Sequence, residues 1–257
     1  MVRVDLNSDM GESFGAYTMG DDAAMLKIVS SANIACGFHG GDPLVMDTTL
    51  RCAKENGVGA GAHPSFIDQW GFGRRPIQGE RPEDIEKILV YQIGALVAMA
   101  SHVGHAVTHL KPHGSLNNMA CVDAGLAMAC ARAARTSDWN LILVAMPGTE
   151  MEKAGEKLGL RVAREVFADR AYTDEGHLVS RKIEGSMIHD PEVAARRVVR
   201  MVEDQEVVSI TGKRVPVRVD TVCVHGDNPA AVAMATQIRE TLKAEGIAIA
   251  PMTEIVG

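Results

Sequence analysis

Short segments in which polar and apolar residues alternate recur along the chain, and longer segments with helical periodicity separate them. Alternation at every second residue is typical of a β-strand, and an apolar stripe at every third or fourth residue is typical of an amphipathic helix. The predicted strands are Val2–Asn7, Ser31–Cys36, Gly57–Ala62, His105–Leu110, Asn140–Ala145, Arg161–Val166 and Thr221–His225. The predicted helices are Asp21–Val29, Pro43–Glu55, Pro82–His102, Ala120–Thr136, Thr149–Lys157, Pro191–Glu203 and Pro229–Ala244.

Three of these helices begin with a capping residue followed by proline, in the pairs Asp42-Pro43, Asp190-Pro191 and Asn228-Pro229. A side-chain oxygen at the N-cap and a proline at the first helical position are strong signals of a helix start. We therefore interpret these Asp and Asn residues as caps rather than as catalytic groups.

The regular alternation of strands and helices predicts a parallel sheet with the helices packed outside it. Both an open doubly wound sheet and a closed barrel have this order of elements. Polar residues follow almost every strand and no nucleotide-type glycine loop is present, which favours an α/β fold of the (β/α) barrel type, TIM-like but irregular, with about seven parallel strands. No linker or repeat is visible, so residues 1–257 are predicted to form a single domain.

Two segments interrupt the alternation. Val207–Val219 reads as a β-hairpin that turns around Gly212. Arg170–Ile188 is too long for a plain connection and is a candidate lid.

One face is largely polar or glycine in five of the predicted strands, and a sixth strand adds two carboxylates to the pattern. In the first strand Asp5, Asn7 and Asp9 fall on the same face, opposite Val4 and Leu6. The residues that share the corresponding face of later strands are Asn33, Ala35, Gly37, His39, Gly59, Gly61, His63, His109, Lys111, His113, Glu165, Asp169, Thr221, Cys223, His225 and Asp227. The outer face of a parallel barrel must be apolar where helices cover it, so these side chains are predicted to point into the lumen. The sequence thus predicts a polar pocket near the carboxyl ends of the strands, where barrels of this type place their chemistry.

Composition narrows the class of protein. Of the 257 residues 46% are hydrophobic and 23% are charged, which is typical of a globular protein, and the net charge of −7 argues against a nucleic-acid surface. No secretory signal and no membrane span are predicted. The five cysteines are odd in number and scattered, as expected for free thiols in a reducing compartment, so we expect a cytoplasmic protein.

Several familiar motifs are absent from the sequence. It contains no GxxxxGK[ST] phosphate loop, no full GxGxxG spacing and no GxSxG nucleophile elbow. DLNSDMGE resembles the start of an EF-hand loop, but its glycine stands one place late and Ala16 occupies the closing acidic position. A nucleophilic role for Cys36 is disfavoured, because its place in the alternation of the second predicted strand directs its side chain towards the helices.

A metal site stays open as an alternative. Two or three of the residues His39, His63, His113 and His225, together with Asp9 or Asp227, have the ligand types of a transition-metal site. These residues come from different strands, so no spacing in the sequence tests the idea. A hydrogen-bonded network of the same groups is the competing interpretation.

Long motifs along nearly the whole chain resemble the LamB/YcsF family. In chain order they are DLNSDMGE, ANIACGFHGGD, GAHPSF with GFGRR, HLKPHGSLNN, EVFADRAY with GHLVSR, and VHGDNP. The resemblance implies an irregular (β/α) barrel similar to that of polysaccharide deacetylases. It also implies an ATP-dependent 5-oxoprolinase that opens 5-oxoproline to L-glutamate, in which such a chain is the A subunit, working with partner subunits B and C. ATP with Mg²⁺ is the implied cofactor, and it is held by this chain or by its partners.

Parity and position then suggest roles for individual residues in such a reaction. The candidate catalytic residues are Asp9, His63, Lys111, His113 and Asp227. The candidate substrate-binding residues are Asn7, Asn33, His39, Arg74, Glu165, Arg170 and His225. Lys111 would stabilise an anionic oxygen, His113 or Asp9 would activate water, and an arginine would clamp the substrate carboxylate.

Two other functions fit the same pocket. One is a metal-dependent deacetylase or amidohydrolase that acts alone on an N-acyl sugar or a small amide. The other is a non-catalytic subunit that delivers a ligand to a partner. Formation of a homo-oligomer is also left open by the sequence.

Overall fold

The structure, a computed structural model, describes residues 2–256. Its strands are β1 (Arg3–Met10), β2 (Ser31–Ala35), β3 (Gly59–His63), β4 (Val107–Leu110), β5 (Ile142–Ala145), β6 (Val162–Phe167), β7 (Glu206–Val208), β8 (Arg214–Pro216), β9 (Thr221–Cys223) and β10 (Ala248–Ile249). Its helices are α1 (Asp22–Met25), α2 (Pro43–Glu55), α3 (Pro82–His102), α4 (Gly114–Ala120), α5 (Ala124–Ser137), α6 (Glu150–Lys157), α7 (Pro191–Asp204), α8 (Pro229–Ala244) and α9 (Met252–Ile255).

Seven of the strands close into a parallel barrel in the order β1-β2-β3-β4-β5-β6-β9, because β9 pairs with both β6 and β1. At the closure Asn7 of β1 lies opposite Cys223 of β9 on one side and Ser31 of β2 on the other. All seven predicted strands are present, and the prediction of a closed barrel is confirmed over the open sheet.

The bounds of α2, α3 and α8 agree with the predicted helices. The cap assignments are confirmed too, since Asp42 and Asp190 each accept hydrogen bonds from two backbone N–H groups in the first turn of the following helix, and Asn228 accepts one. These side chains therefore cap helices and are not part of the polar site in the lumen.

Two helix predictions were wrong in extent. The predicted helix Ala120–Thr136 is two helices, α4 and α5, separated at Asp123, which caps α5 by accepting from the N–H groups of Gly125 and Leu126. The predicted helix Asp21–Val29 is helical only over α1. The short elements β10 and α9 were not predicted, and β10 adds to the outer end of β1 at Arg3 and Val4.

The two predicted interruptions stand between β6 and β9. β7 and β8 form the antiparallel hairpin that the sequence predicts. The segment Arg170–Ile188 contains isolated bridges, including one between Tyr172 and Leu178, and no helix or longer strand. Its residues His177 to Arg181 line the mouth of the barrel, which is the place expected of a lid.

Alternation along the strands divides the interior into two compartments. Val4 and Leu6 of β1 are fully buried in the apolar layer between the barrel and the helices, whereas Asp5 and Asn7 are fully buried on the lumen side. Within the described part of the chain, no helix has the length and apolar character that would let it cross a membrane.

Candidate active site

A cavity of about 570 Å³ opens at the carboxyl ends of the barrel strands. Its wall includes all five candidate catalytic residues, namely Asp9, His63, Lys111, His113 and Asp227. These residues come from four separate parts of the chain, and parallel closure of the barrel brings them to one place.

The floor below the cavity is a buried network around Asp5. Its Oδ1 atom accepts hydrogen bonds from Ser30 (2.7 Å) and Ser31 (2.6 Å), and its Oδ2 atom accepts one from Thr221 (2.5 Å). Burial raises the pKa of Asp5 to about 6, although the three hydroxyl donors oppose the shift. This network joins three neighbouring strands and supports the residues above it.

The next layer contains the amides of Asn7 and Asn33. The Nδ2 atom of Asn33 donates to Asn7 Oδ1 (2.7 Å) and to Asp9 Oδ1 (2.9 Å), while His109 Nε2 lies 3.0 Å from Asn33 Oδ1. The His109 ring occupies the space above Gly61, where an added Cβ would lie 2.1 Å from the ring, so only glycine fits there. These amides and this histidine hold Asp9 in position from below.

Lys111 is the buried cation of this layer. Its Nζ atom lies 2.9 Å from Asp9 Oδ1 and 2.7 Å from Glu165 Oε1. Burial acts to lower the pKa of Lys111, but the carboxylates of Asp9 and Glu165 outweigh it and the pKa is raised well above the usual value. Burial likewise acts to raise the pKa of Asp9, and the charges and hydrogen bonds of His63 and Lys111 hold it well below its usual value. Lys111 is therefore a fixed positive charge at the cavity, and Asp9 is a fixed negative one.

Two histidines face each other beside Asp9, and backbone contacts assign their tautomers. His63 Nδ1 donates to the carbonyl oxygen of Lys111 (2.6 Å), and His113 Nε2 donates to that of Phe72 (2.8 Å). The remaining nitrogens, His63 Nε2 and His113 Nδ1, lie 3.0 Å apart. In the neutral form of each ring, the remaining nitrogen presents a lone pair.

Glu12 lies beside these two histidines, and the three side chains form one corner of the cavity. Its Oε1 atom lies 3.2 Å from His113 Nδ1 and 3.0 Å from His39 Nε2. Burial acts to raise the pKa of Glu12, but its contacts with His113 and His39 lower it to about 2. Burial lowers the pKa of His39 to about 3, so this ring is neutral at pH 7 and donates to the carboxylate. Glu12, His39, His63 and His113 have one ligand atom each within 4.8 Å of one another, which is a group able to hold a metal ion.

Gly73 of the GFGRR motif packs directly against this corner. A Cβ at this position would lie 2.8 Å from His113 and 2.9 Å from His39, and the residue has a φ of +62°. Both the space and the backbone conformation require glycine. The motif thus brings the backbone close enough for Phe72 to accept the hydrogen bond from His113.

An ion pair and an exposed carboxylate form the opposite side of the mouth. His225 Nδ1 lies 2.8 Å from Asp169 Oδ2, and although burial acts to lower the pKa of His225, contact with Asp169 raises it. Asp227, two residues further, is exposed at the rim of the cavity. His225 and Asp227 lie on the solvent side of the site.

The two candidate arginines have different surroundings. Arg74 is exposed at the mouth, with its guanidinium carbon 5.0 Å from the ring centroid of Phe72. Arg170 is buried, and its Nη2 atom donates to the carbonyl oxygen of Val179 (2.7 Å), which joins the start of the candidate lid to its middle. Both line the cavity, and Arg74 has its guanidinium free to meet a ligand there.

Four of the candidate substrate-binding residues lie behind the cavity wall rather than on it. These are Asn7, Asn33, His39 and Glu165, all of them buried. Each contacts a residue that does line the cavity, so their position suits orientation of Asp9, Lys111 and Glu12 rather than direct contact with a ligand.

The prediction of site residues omitted three that the structure places there, namely Glu12, His109 and Asp169. His109 and Asp169 are among the residues predicted to point into the lumen, but the sequence suggested no individual role for them. Glu12 lies beyond the end of β1, where Gly11 turns the chain with a φ of +67° and donates its N–H to Asp22. An acidic residue directly after a strand-ending glycine was the signal available for it.

Cys36 is excluded as a nucleophile on physical grounds. It lies in the apolar cluster outside the barrel, and burial raises the pKa of its thiol to about 12. All five cysteines are free thiols, as the composition suggests.

Comparison with known proteins shows what this chain resembles over its full length. It is 55% identical over 251 residues to the A subunit of the 5-oxoprolinase of Rhodopseudomonas palustris (strain BisB18), and the match covers 98% of each chain. The crystal structure of a lactam utilization protein from Thermus thermophilus superimposes with a TM-score of 0.92 at 46% identity, covering 96% of this chain and 99% of that one.

A more distant structure shares the fold alone. A T48 deacetylase solved with substrate aligns with a TM-score of 0.52 at 14% identity, over 99% of this chain and 90% of that one. This agrees with the expected likeness to deacetylase barrels. The LamB/YcsF family model matches residues 4–257. With the motifs, the barrel and the full-length relatives in agreement, this chain belongs to the LamB/YcsF family.

Proposed function

We propose that this chain is the A subunit of a 5-oxoprolinase, which hydrolyses the lactam of 5-oxoproline to L-glutamate and couples this to ATP hydrolysis. The observation that carries the proposal is the 55% identity to a 5-oxoprolinase A subunit over 98% of both chains. The relationship spans the whole barrel. A cavity of about 570 Å³ is also of a size that suits a small ring compound.

ATP is assigned to the complex rather than to this chain. Opening an unstrained five-membered lactam in water is uphill, so the amide oxygen must be activated before water attacks. The sequence contains no GxxxxGK[ST] phosphate loop. We therefore assign the binding of ATP with Mg²⁺, and activation of the ring, to the partner subunits B and C, and hydrolysis of the activated ring to the barrel cavity.

Lys111 is the proposed electrostatic catalyst. Its charge is held in place by Asp9 and Glu165 in a buried layer, so it need not reorganise when negative charge develops on the substrate oxygen. Fixed donors of this kind act most strongly where water is excluded, as it is around this ammonium group.

His63 and His113 are proposed to position the attacking water at the corner of the cavity where His63 Nε2 and His113 Nδ1 meet. Asp9 is a weak base because its pKa is held well below the usual value, so its proposed part is to fix Lys111 and His63. His225 and Asp227 at the rim are proposed to exchange protons with solvent.

The carboxylate of 5-oxoproline requires a cationic partner near the mouth. Arg74 is the proposed partner, because its guanidinium is exposed, lines the cavity and is positioned over Phe72. Arg170 is proposed to fix the conformation of the candidate lid through its bond to Val179. We place the protein in the cytoplasm, where its five free thiols stay reduced.

The proposal is tested by purifying this chain and subunits B and C separately and measuring glutamate and ADP formed from 5-oxoproline and ATP. Both products are expected only when all three proteins are present. Equal glutamate release by B and C without this chain would contradict the proposal. Chelator-sensitive hydrolysis of an N-acyl sugar by the chain alone would support the deacetylase alternative instead.

A further inference from the structure

The corner formed by Glu12, His63 and His113 contains more hydrogen-bond acceptors than donors. His63 Nε2 lies 3.0 Å from His113 Nδ1 and 3.3 Å from Asp9 Oδ2, while His113 Nδ1 lies 3.2 Å from Glu12 Oε1. The other nitrogen of each ring already donates its hydrogen to a backbone carbonyl oxygen. As neutral rings, both histidines therefore turn a lone pair towards other lone pairs.

Three electron-pair donors of the neutral rings and the carboxylate meet in this corner, namely Glu12 Oε1, His63 Nε2 and His113 Nδ1. Among their neighbours, His39 Nε2 reaches only the Glu12 oxygen. A single cation shared by the three atoms satisfies them at once.

The distances agree with a shared ion. Two ligand atoms bound to one zinc ion at about 2.0–2.1 Å lie roughly 3.0–3.4 Å apart in a tetrahedral or slightly compressed site. The observed separations of 3.0 Å and 3.2 Å fall in this range. The rings of His63 and His113 stand at 89° to each other with centroids 4.9 Å apart, and two rings so far from parallel are able to hold one ion in both ring planes.

His39 cannot be a ligand together with His113 in this arrangement. The two rings are stacked with centroids 3.8 Å apart and planes within 6° of parallel. An imidazole holds a metal ion close to its own ring plane at about 2.0–2.1 Å, so two parallel stacked rings cannot share one ion. His39 instead contacts Glu12 Oε1 and orients the carboxylate, as supporting residues around metal ligands do.

We propose that Glu12 Oε1, His63 Nε2 and His113 Nδ1 bind one divalent transition-metal ion, with Zn²⁺ as the best match, and that His39 and Asp9 position these ligands. Two histidines and one glutamate form a three-ligand set that leaves a coordination position open. All three residues line the cavity, where a substrate or a water molecule would have access to the ion. An ion held there supplies a Lewis acid to the cavity.

The inference does not rest on the proposed reaction, since ion binding is measured on the chain alone. The tag-free protein is dialysed against Zn²⁺ or Co²⁺, and bound metal is measured by elemental analysis, with the visible absorption of Co²⁺ as a readout of its ligands. One ion per chain is expected, with a Co²⁺ spectrum of a low-coordinate nitrogen and oxygen site.

Variants separate ligands from positioning residues. Glu12→Gln keeps the size of the side chain and His113→Ala removes a ring, and both should abolish the bound ion. His39→Asn should retain the ion with affinity lowered by about 10- to 100-fold. His102→Ala, a substitution of an exposed histidine at the end of α3, is the matched control and should change nothing.

Three outcomes would overturn the inference. They are absence of tight binding in the wild type, equal binding in Glu12→Gln, and loss of the ion in His39→Asn as complete as in Glu12→Gln. Circular dichroism identifies a variant that fails to fold, and if His113→Ala does so, the near-isosteric Glu12→Gln decides. A variant that loses the ion but keeps full 5-oxoprolinase turnover would show that the metal takes no part in that reaction. A wild-type chain that binds the ion but gives no turnover with subunits B and C would contradict the proposed function and leave the metal site standing.

Discussion

Lys111 Nζ lies 2.7 Å from Glu165 Oε1, and this buried contact joins the end of β4 to β6 across the lumen. Removing one partner of a buried ion pair leaves an uncompensated charge, which typically costs about 3–5 kcal/mol. Because Lys111 keeps Asp9 as a second partner, we expect Glu165→Gln to lower the free energy of unfolding by about 3 kcal/mol, at the low end of that range.

Urea denaturation of the purified chain measures this effect. Glu240→Gln, on the exposed face of α8, is the matched control and should lie within about 0.5 kcal/mol of the wild type. A Glu165→Gln variant as stable as this control would show that the contact contributes nothing to the barrel.

Asp5 should make the stability of the protein depend on pH. Its pKa is raised from 3.8 to about 6 in the folded state, because burial disfavours the charged form. Between these values the unfolded chain has lost the proton and the folded chain still holds it, so stability falls as pH rises from about 4 to 6. A difference of about two between the pKa of Asp5 in the folded and unfolded states corresponds to roughly 3 kcal/mol in the free energy of unfolding.

The comparison with Asp5→Asn isolates this group, because asparagine does not titrate. Urea unfolding at several pH values between 4 and 7 should show the wild type losing roughly 3 kcal/mol relative to the variant as pH rises. A difference that stays constant over this range would mean that the folded pKa of Asp5 is unshifted.

Arg74 should govern substrate affinity. A hydrogen-bonded charge pair with the substrate carboxylate contributes about 1.5–3 kcal/mol, so Arg74→Ala should raise KM for 5-oxoproline by roughly 10- to 100-fold. The exposed Arg81, which pairs with Asp84 at the start of α3, provides the control substitution. The two KM values are compared with all three proteins present at saturating ATP, and an unchanged KM in Arg74→Ala would exclude it as the carboxylate partner.

The barrel could be predicted from the sequence because strand alternation and helix caps are local signals. Asp42, Asp190 and Asn228 each mark a helix start within a few residues, and the structure confirms all three. The alternation of polar and apolar residues in the first strand likewise predicts that Asp5 and Asn7 point into the lumen, because successive side chains of a strand point to opposite faces.

The details of the site depend on contacts between distant segments, which local patterns do not contain. Nothing in the sequence near His113 indicates that its ring stacks on His39. Glu12 stands after a glycine turn, where the alternation has ended, so its direction could not be inferred from parity. The break between α4 and α5 was missed because Asp123 is followed by no proline and both flanking segments are helical.

The central claim is that the polar lumen of the barrel hydrolyses the activated lactam, and turnover of Lys111 variants tests it most directly. The double variant Lys111→Met with Glu165→Gln removes Lys111 together with the carboxylate that faces it, while Asp9 keeps its contacts with Asn33 and His63, so it should fold and assemble with subunits B and C. We predict that kcat for glutamate release falls by about 100- to 1,000-fold, as on loss of a fixed oxyanion donor, while Lys213→Ala on the exposed hairpin stays at the wild-type value. Turnover near the wild-type rate in a folded, assembled double variant would contradict the account.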